Sequence, residues 1–478
     1  MDLTVLNLAL PAIAADLEPD AIELLWMVDI YGFLTAGFLI LMGTLGDRIG
    51  RRRLLLIGSA AFALASLAAA FSTSAGMMIA ARAAQGVAAA TLAPSTLSLI
   101  RNMFLDDRQR TFAIGVWIAC FSAGAALGPV VGGLLLSQFW WGSVFLINVP
   151  LMLSLLVIGP LFLPEYRDAE AGRLDLVSAV MSLAAVLLVI YGIKHAAEHG
   201  VDGVTLGAAA AGVLVGAGFL YRQRLLREPL LDLILFRRAA FAVPLAINVL
   251  KILVFVGIFF LVAQYLQLVL GFDALTAGLW IAPTGLVMIA ASLAAPTLIR
   301  LVPPAPAIAA AFTVVTVSLI LIATADGSFV RFYIGILLLP LGTAPVGTLT
   351  TDLVISSVPP RRAGMASGIS ETSFEFGGAI GIAILGSLSA AVYRTAMAGY
   401  PLDVPPATAN AARTTLAAAV ETAATLPGPA GAALLARARD AFVAGFETAA
   451  WIGAIIAIFI ALLALTTMRG VKRPAAAH

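Results

Sequence analysis

Fourteen apolar stretches follow one another along this chain, and that succession constrains its fold more than any single residue. Read between charged, proline and glycine breaks, their cores lie at 1–17, 23–45, 54–73, 76–100, 110–136, 143–163, 174–196, 203–221, 241–270, 276–299, 307–325, 330–356, 363–392 and 447–468. A helix crosses a bilayer's hydrocarbon with about 20 apolar residues, and most of the stretches reach that length. Charged residues are only 11% of the 478, where soluble domains carry about a quarter, so the solvent of such a chain is mostly lipid. In lipid each segment satisfies its own backbone hydrogen bonds, and the stretches are read as helices. The expected fold is an all-α integral membrane protein with fourteen transmembrane helices. The first stretch is the exception: only about 15 residues follow Asp2 before the polar run from Glu18, short of a span, and the opening turns of helix 1 are expected to be missing from this sequence.

Arginine and lysine orient the segments. Alternate connections and the C-terminal tail hold 20 of the 28 basic residues, from Arg48, Arg51, Arg52 and Arg53 after segment 2 to Arg469, Lys472 and Arg473 after segment 14. The short connections on the other face hold only Lys194 and Arg331. Basic residues collect on cytoplasmic connections, so an even number of spans with both ends cytoplasmic is expected. The basic stretch 221–240 reads as a link between two pseudo-symmetric halves. That gives 1–163 as an N-terminal six-helix bundle, 164–240 as two inserted helices (segments 7 and 8) with the linker, 241–468 as a C-terminal six-helix bundle, and 469–478 as a cytoplasmic tail. Within the long outer connection 393–446, the alanine-rich stretches 409–425 and 430–445 read as two short helices forming a hairpin outside the membrane, with a disordered loop as the alternative.

A charge at mid-membrane costs about 2.5–3.5 kcal/mol or more, so ionisable residues inside the stretches are functional candidates. Asp2 lies about 22 Å from the outer end of segment 1, near the midplane. Glu371 and Glu375 lie about 12 and 18 Å into segment 13. Four residues apart, they share a helix face beside Phe374 and Phe376. Two carboxylates so placed repel, which favours one of them holding a proton near neutrality. Asp29 sits among Trp26, Tyr31 and Phe33, read either as an outer cation-binding vestibule aided by cation–π attraction or as an interfacial aromatic belt with an incidental acid. Asp352 lies beside the loop carrying Arg361 and Arg362 and is expected to be their structural partner. Arg82 and Lys251 are the embedded bases, and Lys251 falls close to mid-membrane. It is expected to pair with an acid and to bias a cavity against divalent cations; segment 10 carries no acid between Trp280 and Leu298.

The connection after segment 2 reads Gly43-Thr-Leu-Gly-Asp47-Arg48-Ile-Gly50-Arg51. Its glycines allow a tight turn and close helix approach, and Asp47 and Arg51 are spaced to pair or to face helix ends. It resembles the loop signature of the major facilitator superfamily. The stretch Ala81-Arg82-Ala-Ala-Gln85-Gly86 resembles that superfamily's intramembrane arginine motif. Gly124, Gly128, Pro129 and Gly132 in segment 5 resemble the motif of its proton-coupled drug exporters; by themselves they form a small-residue packing face with a bend at Pro129. The opening Met1-Asp2-Leu-Thr-Val-Leu-Asn7 and the long loop before the last segment are similar to the fourteen-helix drug:proton antiporter branch, whose members include quaternary-ammonium and fluoroquinolone efflux pumps.

The resemblance covers essentially the whole chain. It implies alternating access between two six-helix bundles and a bacterial inner-membrane location. It also implies proton coupling through Asp2, Glu371, Glu375 and Arg82, and binding of lipophilic cations by Asp2, Asp29, Trp26, Tyr31, Glu371, Phe374 and Glu375. Substrates would be monovalent cations such as quaternary ammonium compounds, ethidium and acriflavine, and fluoroquinolones; uptake or export of a natural polar metabolite is the runner-up. A monomer without cofactor, metal or nucleic-acid partner is expected. His195 and His199 mimic a metal site but read as a solvated pair, and no phosphate loop, nucleophile-and-base pair or Cys/His cluster equips the chain as an enzyme or ATP-driven pump.

Overall fold

The structure, a computed structural model, describes residues 2–19, 21–167, 175–199, 202–226, 229–400, 405–426 and 429–468. The expected tail 469–478 lies outside them. Every regular element among the described residues is helical: α1 (Asp2–Leu17), α2 (Ala21–Ile49), α3 (Arg51–Ala70), α4 (Ala75–Met103), α5 (Asp107–Gln138), α6 (Ser143–Leu146), α7 (Asn148–Phe162), α8 (Leu176–His199), α9 (Gly203–Leu225), α10 (Ala239–Gln264), α11 (Ala274–Leu301), α12 (Pro304–Ala323), α13 (Phe329–Ser356), α14 (Ala363–Gly381), α15 (Ser387–Met397), α16 (Pro406–Thr414), α17 (Leu416–Thr425) and α18 (Pro429–Thr467). A π-helical turn, Ile382–Gly386, joins α14 to α15. Each apolar stretch of the sequence falls in this series. Among the described residues, 11 helices are long and apolar enough to cross a membrane. α1, α5 and α8 are not among them; α1 has 16 residues, about 24 Å. Hydroxyl and carboxylate side chains start several helices: Ser74, Asp106, Asp202 and Ser328 each accept a backbone N–H of the first turn, as a free helix N-terminus requires.

Two apolar cores organise the packing. One gathers Val5, Ile13, Met27, Met78 and Phe145, the other Ile258, Phe312, Phe332, Phe446 and Ile460. The basic linker is folded down: Leu230, Leu231 and Leu235 are buried with Met365 and Ile369 of α14, and the Gln223 carboxamide oxygen accepts Leu230 N at 2.8 Å and Leu231 N at 3.3 Å. The outer hairpin differs from expectation. Its second arm is not a separate helix, because α18 runs 39 residues without a break, about 58 Å. Strong helix formers and no proline fill that arm, so nothing stops the helix where it leaves the hydrocarbon. The first arm is instead divided at Thr415, which is extended and whose hydroxyl caps α17. The assembly is anchored: Tyr393 Oη donates to Ala412 O at 2.8 Å, Arg437 to Ala396 O at 2.7 Å and Arg439 Nε to Leu268 O at 3.0 Å.

α8 and α9 pack on each other. His195 Nδ1 lies 3.0 Å from Thr205 Oγ1, so it ties the two helices together; the His199 side chain lies outside the described residues. Below the pair, Arg222 donates to both oxygens of Asp175 at 2.8 and 3.1 Å. Those hydrogen bonds hold the Asp175 carboxyl at about 2, below its ordinary 3.8. A depressed carboxylate contributes stability above its unfolded value and loses it as pH falls toward the folded one. For a solvent-exposed pair such as this the contribution is small. Thermal unfolding between pH 5 and pH 2 is therefore expected to show a small acid-sensitive loss that Asp175→Asn removes; an unaltered profile in the variant would contradict it.

Candidate functional site: a cavity sealed at the arginine-bearing end

At the end carrying the arginine-rich connections, α2 lies close on α14 and α5 on α11. Where a side chain would begin on Gly43, the Gly364 carbonyl oxygen lies only 2.3 Å away, and the reverse approach is equally close. A Cβ on Gly368 would lie 2.7 Å from Leu39 O, and one on Gly115 2.8 Å from Ser292 O. α2 can therefore lie on α14, and α5 on α11, only because these positions are glycine.

Asp47 fastens this contact. Its carboxylate accepts Arg51 Nη2 at 2.6 Å and Nε at 2.9 Å, and also Gly364 N and Met365 N at 3.0 Å each. It thus pairs with Arg51 and places its charge on the positive N-terminus of α14. Arg51, fully buried, donates onward to Pro360 O at 2.7 Å and Ser98 O at 3.3 Å. Gly50 turns the chain at φ 112°, and a Cβ there would lie 2.7 Å from Glu165 Oε1; that carboxylate takes Arg52 N and Arg53 N at 3.2 and 3.1 Å. Arg48 sits in the last turn of α2. A second clasp joins α5 to α13: Asp352 accepts Arg110 Nε and Thr111 Oγ1, each at 2.6 Å, and Arg110 reaches Asp107 at 2.6 Å as well. Asp352 is thus not the partner of Arg361 and Arg362. Chain proximity suggested them, but Arg362 pairs with Asp232 of the linker, and the acid is buried against a helix 242 positions away.

Directly behind the clasps lies a cavity of about 740 Å³, its mouth included. Its walls divide by chemistry. α14 supplies Glu371, Phe374 and Glu375; α5 supplies Trp117 and Phe121; α10 supplies Asn248, Lys251 and Phe255; α13 supplies Thr343, Gly347 and Thr351; α11 supplies Met288. These depths agree: Trp117, Lys251 and Glu375 stand about 15–18 Å into their helices from the sealed end. The Phe121 and Phe374 rings meet edge-on at 6.0 Å, and Trp117 stacks on Phe121 at 6.3 Å. Lys251 is 6% exposed, and its Nζ lies 2.7 Å from where a Cβ on Gly347 would sit. Among the described residues it forms no ion pair; Glu371 is the charge acting on it from farther off. The Met288 lining agrees with the absence of an acid between Trp280 and Leu298.

The structure brings together Glu371, Phe374, Glu375 and Lys251 and keeps other candidates apart. Arg82 is fully buried between α2 and α4, donating to Met27 O at 3.4 Å and Gln85 Oε1 at 3.0 Å, with its guanidinium 4.5 Å from the Tyr31 ring centroid. Trp26 meets Phe33 edge-on at 5.9 Å, and Asp29 is half-buried on the same helix. Trp26, Asp29, Tyr31 and Arg82 are absent from the described cavity lining. The side chains of Asp2 and Pro129 lie outside the described residues, and α5 runs unbroken past Gly124, Gly128, Pro129 and Gly132. Sequence reasoning passed over Trp117 and Phe121, Asn248, and Thr343 and Thr351. A helical spacing of four links the two aromatic residues, and a spacing of eight links the two threonines across Gly347.

A profile described as Major Facilitator Superfamily matches residues 1–382. The multidrug efflux pump LfrA of Mycolicibacterium smegmatis is 41% identical over 460 residues, covering 96% of this chain and 91% of its own. The methyl viologen resistance protein SmvA of Salmonella typhimurium is 34% identical over 449 residues, covering 93% and 90%. Among solved structures, the human organic anion transporter MFSD10 superposes with a TM-score of 0.58 over 93% of this chain and 87% of its own, at 16% identity; that likeness concerns the fold.

Proposed function

The chain belongs to the Major Facilitator Superfamily, and from that membership we propose that it exchanges protons for lipophilic monovalent cations, exporting them across the bacterial inner membrane. Quaternary ammonium compounds, ethidium, acriflavine and fluoroquinolones are the proposed substrates. The names of LfrA and SmvA, an efflux pump and a resistance protein, support an exporter. The observation that carries the reading is Glu371 and Glu375 in one aromatic-walled cavity with Lys251. With all three ionised, this trio holds one net negative charge. A monovalent cation balances it, and so does a proton on either carboxylate, so the two occupants exclude each other. Aromatic faces contribute cation–π attraction of about 0.5–2 kcal/mol.

In this scheme fourteen helices cross the membrane as two six-helix bundles, residues 1–163 and 241–468, with α8 and α9 inserted between them. The arginine-bearing end faces the cytoplasm, both chain ends with it, and the clasped conformation is the one closed inward. Asp2 and Arg82 assist the proton path; Asp29, Trp26 and Tyr31 form an entry vestibule. The protein works as a monomer. Drug-induced proton release from purified protein tests the scheme. Ethidium is expected to release protons from the wild type and to lose that effect in Glu375→Gln and Glu371→Gln. Release surviving in Glu375→Gln would overturn the coupling.

A further inference from the structure

The exchange of a cation for a proton assigns Lys251 a share in the net charge and nothing to bind. Its surroundings are nevertheless shaped around the ammonium. A Cβ on Gly347 would lie 2.7 Å from Nζ, so any residue but glycine there would push the ammonium aside. Asn248 precedes Lys251 by three residues and lines the same cavity from the same helix face. Its carboxamide oxygen faces the hydroxyl of Thr350 at 3.4 Å, which leaves its two N–H bonds for a ligand. Thr343 and Thr351 line the cavity one turn either side of Gly347; the Thr343 hydroxyl donates to Leu339 O at 3.0 Å and is left as an acceptor, so the donors here are Asn248 and Thr351. The α10–α13 wall thus offers hydrogen-bond donors and a positive charge, while the α14 wall offers two acids. A buried ammonium without an ion pair is costly until an anion meets it. Lys251 is 6% exposed and forms no ion pair among the described residues.

We propose that Lys251, seated in the Gly347 notch with Asn248 beside it, is an anion-binding subsite, and that the cavity takes amphiphiles bearing a carboxylate as well as a cationic centre. The proposal rests on the export reading above and names the residues that meet the carboxylate of a zwitterionic substrate, the fluoroquinolones among them. The cationic centre lies against Glu371 and Glu375, the aromatic body against Phe121 and Phe374, and the carboxylate against Lys251. The cationic centre still occupies Glu371 and Glu375, so it competes with the proton there as a plain cation does, while the carboxylate meets Lys251.

The test uses a rhodamine with a free carboxylate and the methyl ester of the same dye, two probes differing in that one charge, in vesicles energised by a proton gradient. Wild-type protein is expected to carry both. Lys251→Met is expected to lower the acid-to-ester transport ratio by about tenfold or more, the worth of one charge-assisted hydrogen bond. Gly347→Ala keeps the charge but displaces Nζ and is expected to lower the ratio in the same sense; it decides the matter if Lys251→Met does not assemble. A ratio unchanged in the variants, or a wild type carrying only the ester, overturns the subsite and leaves export standing. A wild type carrying neither dye overturns the export reading and the subsite together.

Discussion

Replacing Arg110 with methionine should drive the protein out of the clasped conformation and stop turnover. Asp352 is 5% exposed and takes its two side-chain hydrogen bonds from Arg110 and Thr111. Removing the guanidinium strands a carboxylate in the contact between α5 and α13, and breaking a buried ion pair from one side costs about 3–5 kcal/mol. In a conformation opened at this end water reaches Asp352, so the penalty falls on the clasped state alone. That shifts the balance by roughly a hundredfold to a few thousandfold. Ser292 reports it. It is fully buried, with its carbonyl against Gly115, so a cysteine placed there, in a background lacking the exposed Cys120, resists alkylation while the end is closed. Arg110→Met should raise its labelling rate sharply. The double variant Arg110→Met with Asp352→Leu removes both charges and should bring much of the protection back. Equal labelling in wild type and single variant would show that the clasp does not hold this end shut.

How legible this was in the sequence follows from what lipid does to sequence signals. The all-helical fold was legible because a lipid-solvated backbone must close its own hydrogen bonds. Asp47 and Arg51 could be paired because they lie four residues apart in the chain, on either side of the Gly50 turn between α2 and α3. Glu371, Phe374 and Glu375 could be grouped for the same reason, charges being conspicuous where nearly everything is apolar. Trp117 and Phe121 escaped by the same logic: in a helix apolar on all sides, periodicity does not tell the face toward a cavity from the face toward lipid. The partner of Asp352 escaped because chain proximity favoured Arg361 and Arg362 over a residue on another helix 242 positions away. The second arm of the outer hairpin was divided at the bilayer's thickness, although nothing in residues 430–467 ends a helix there. The break fell instead at Thr415, whose hydroxyl caps α17.

The second large effect is expected at Gly364. With the Gly43 carbonyl oxygen 2.3 Å from the site of a Cβ, and Asp47 Oδ1 2.4 Å from it, valine cannot be accommodated by a rotamer change, because one obstacle is backbone. α2 and α14 would have to separate by about 1 Å to reach ordinary van der Waals contact. That separation pulls Asp47 from Gly364 N and Met365 N, two hydrogen bonds to a charged group worth about 1.5–3 kcal/mol each. Gly364→Val should therefore disfavour the clasped state by at least about a hundredfold, raising labelling at a cysteine in place of Ser292 and abolishing ethidium export. Gly32→Ala is the matched control. It lies on α2 as well, yet a Cβ there meets nothing within 4 Å, and alanine suits a helix interior better than glycine. Export and labelling should match the wild type in that variant. If both substitutions behave alike, the glycines mark helix composition and not a contact. If only Gly364→Val opens the end, close approach of two backbones is what lets Asp47 hold α2 on α14.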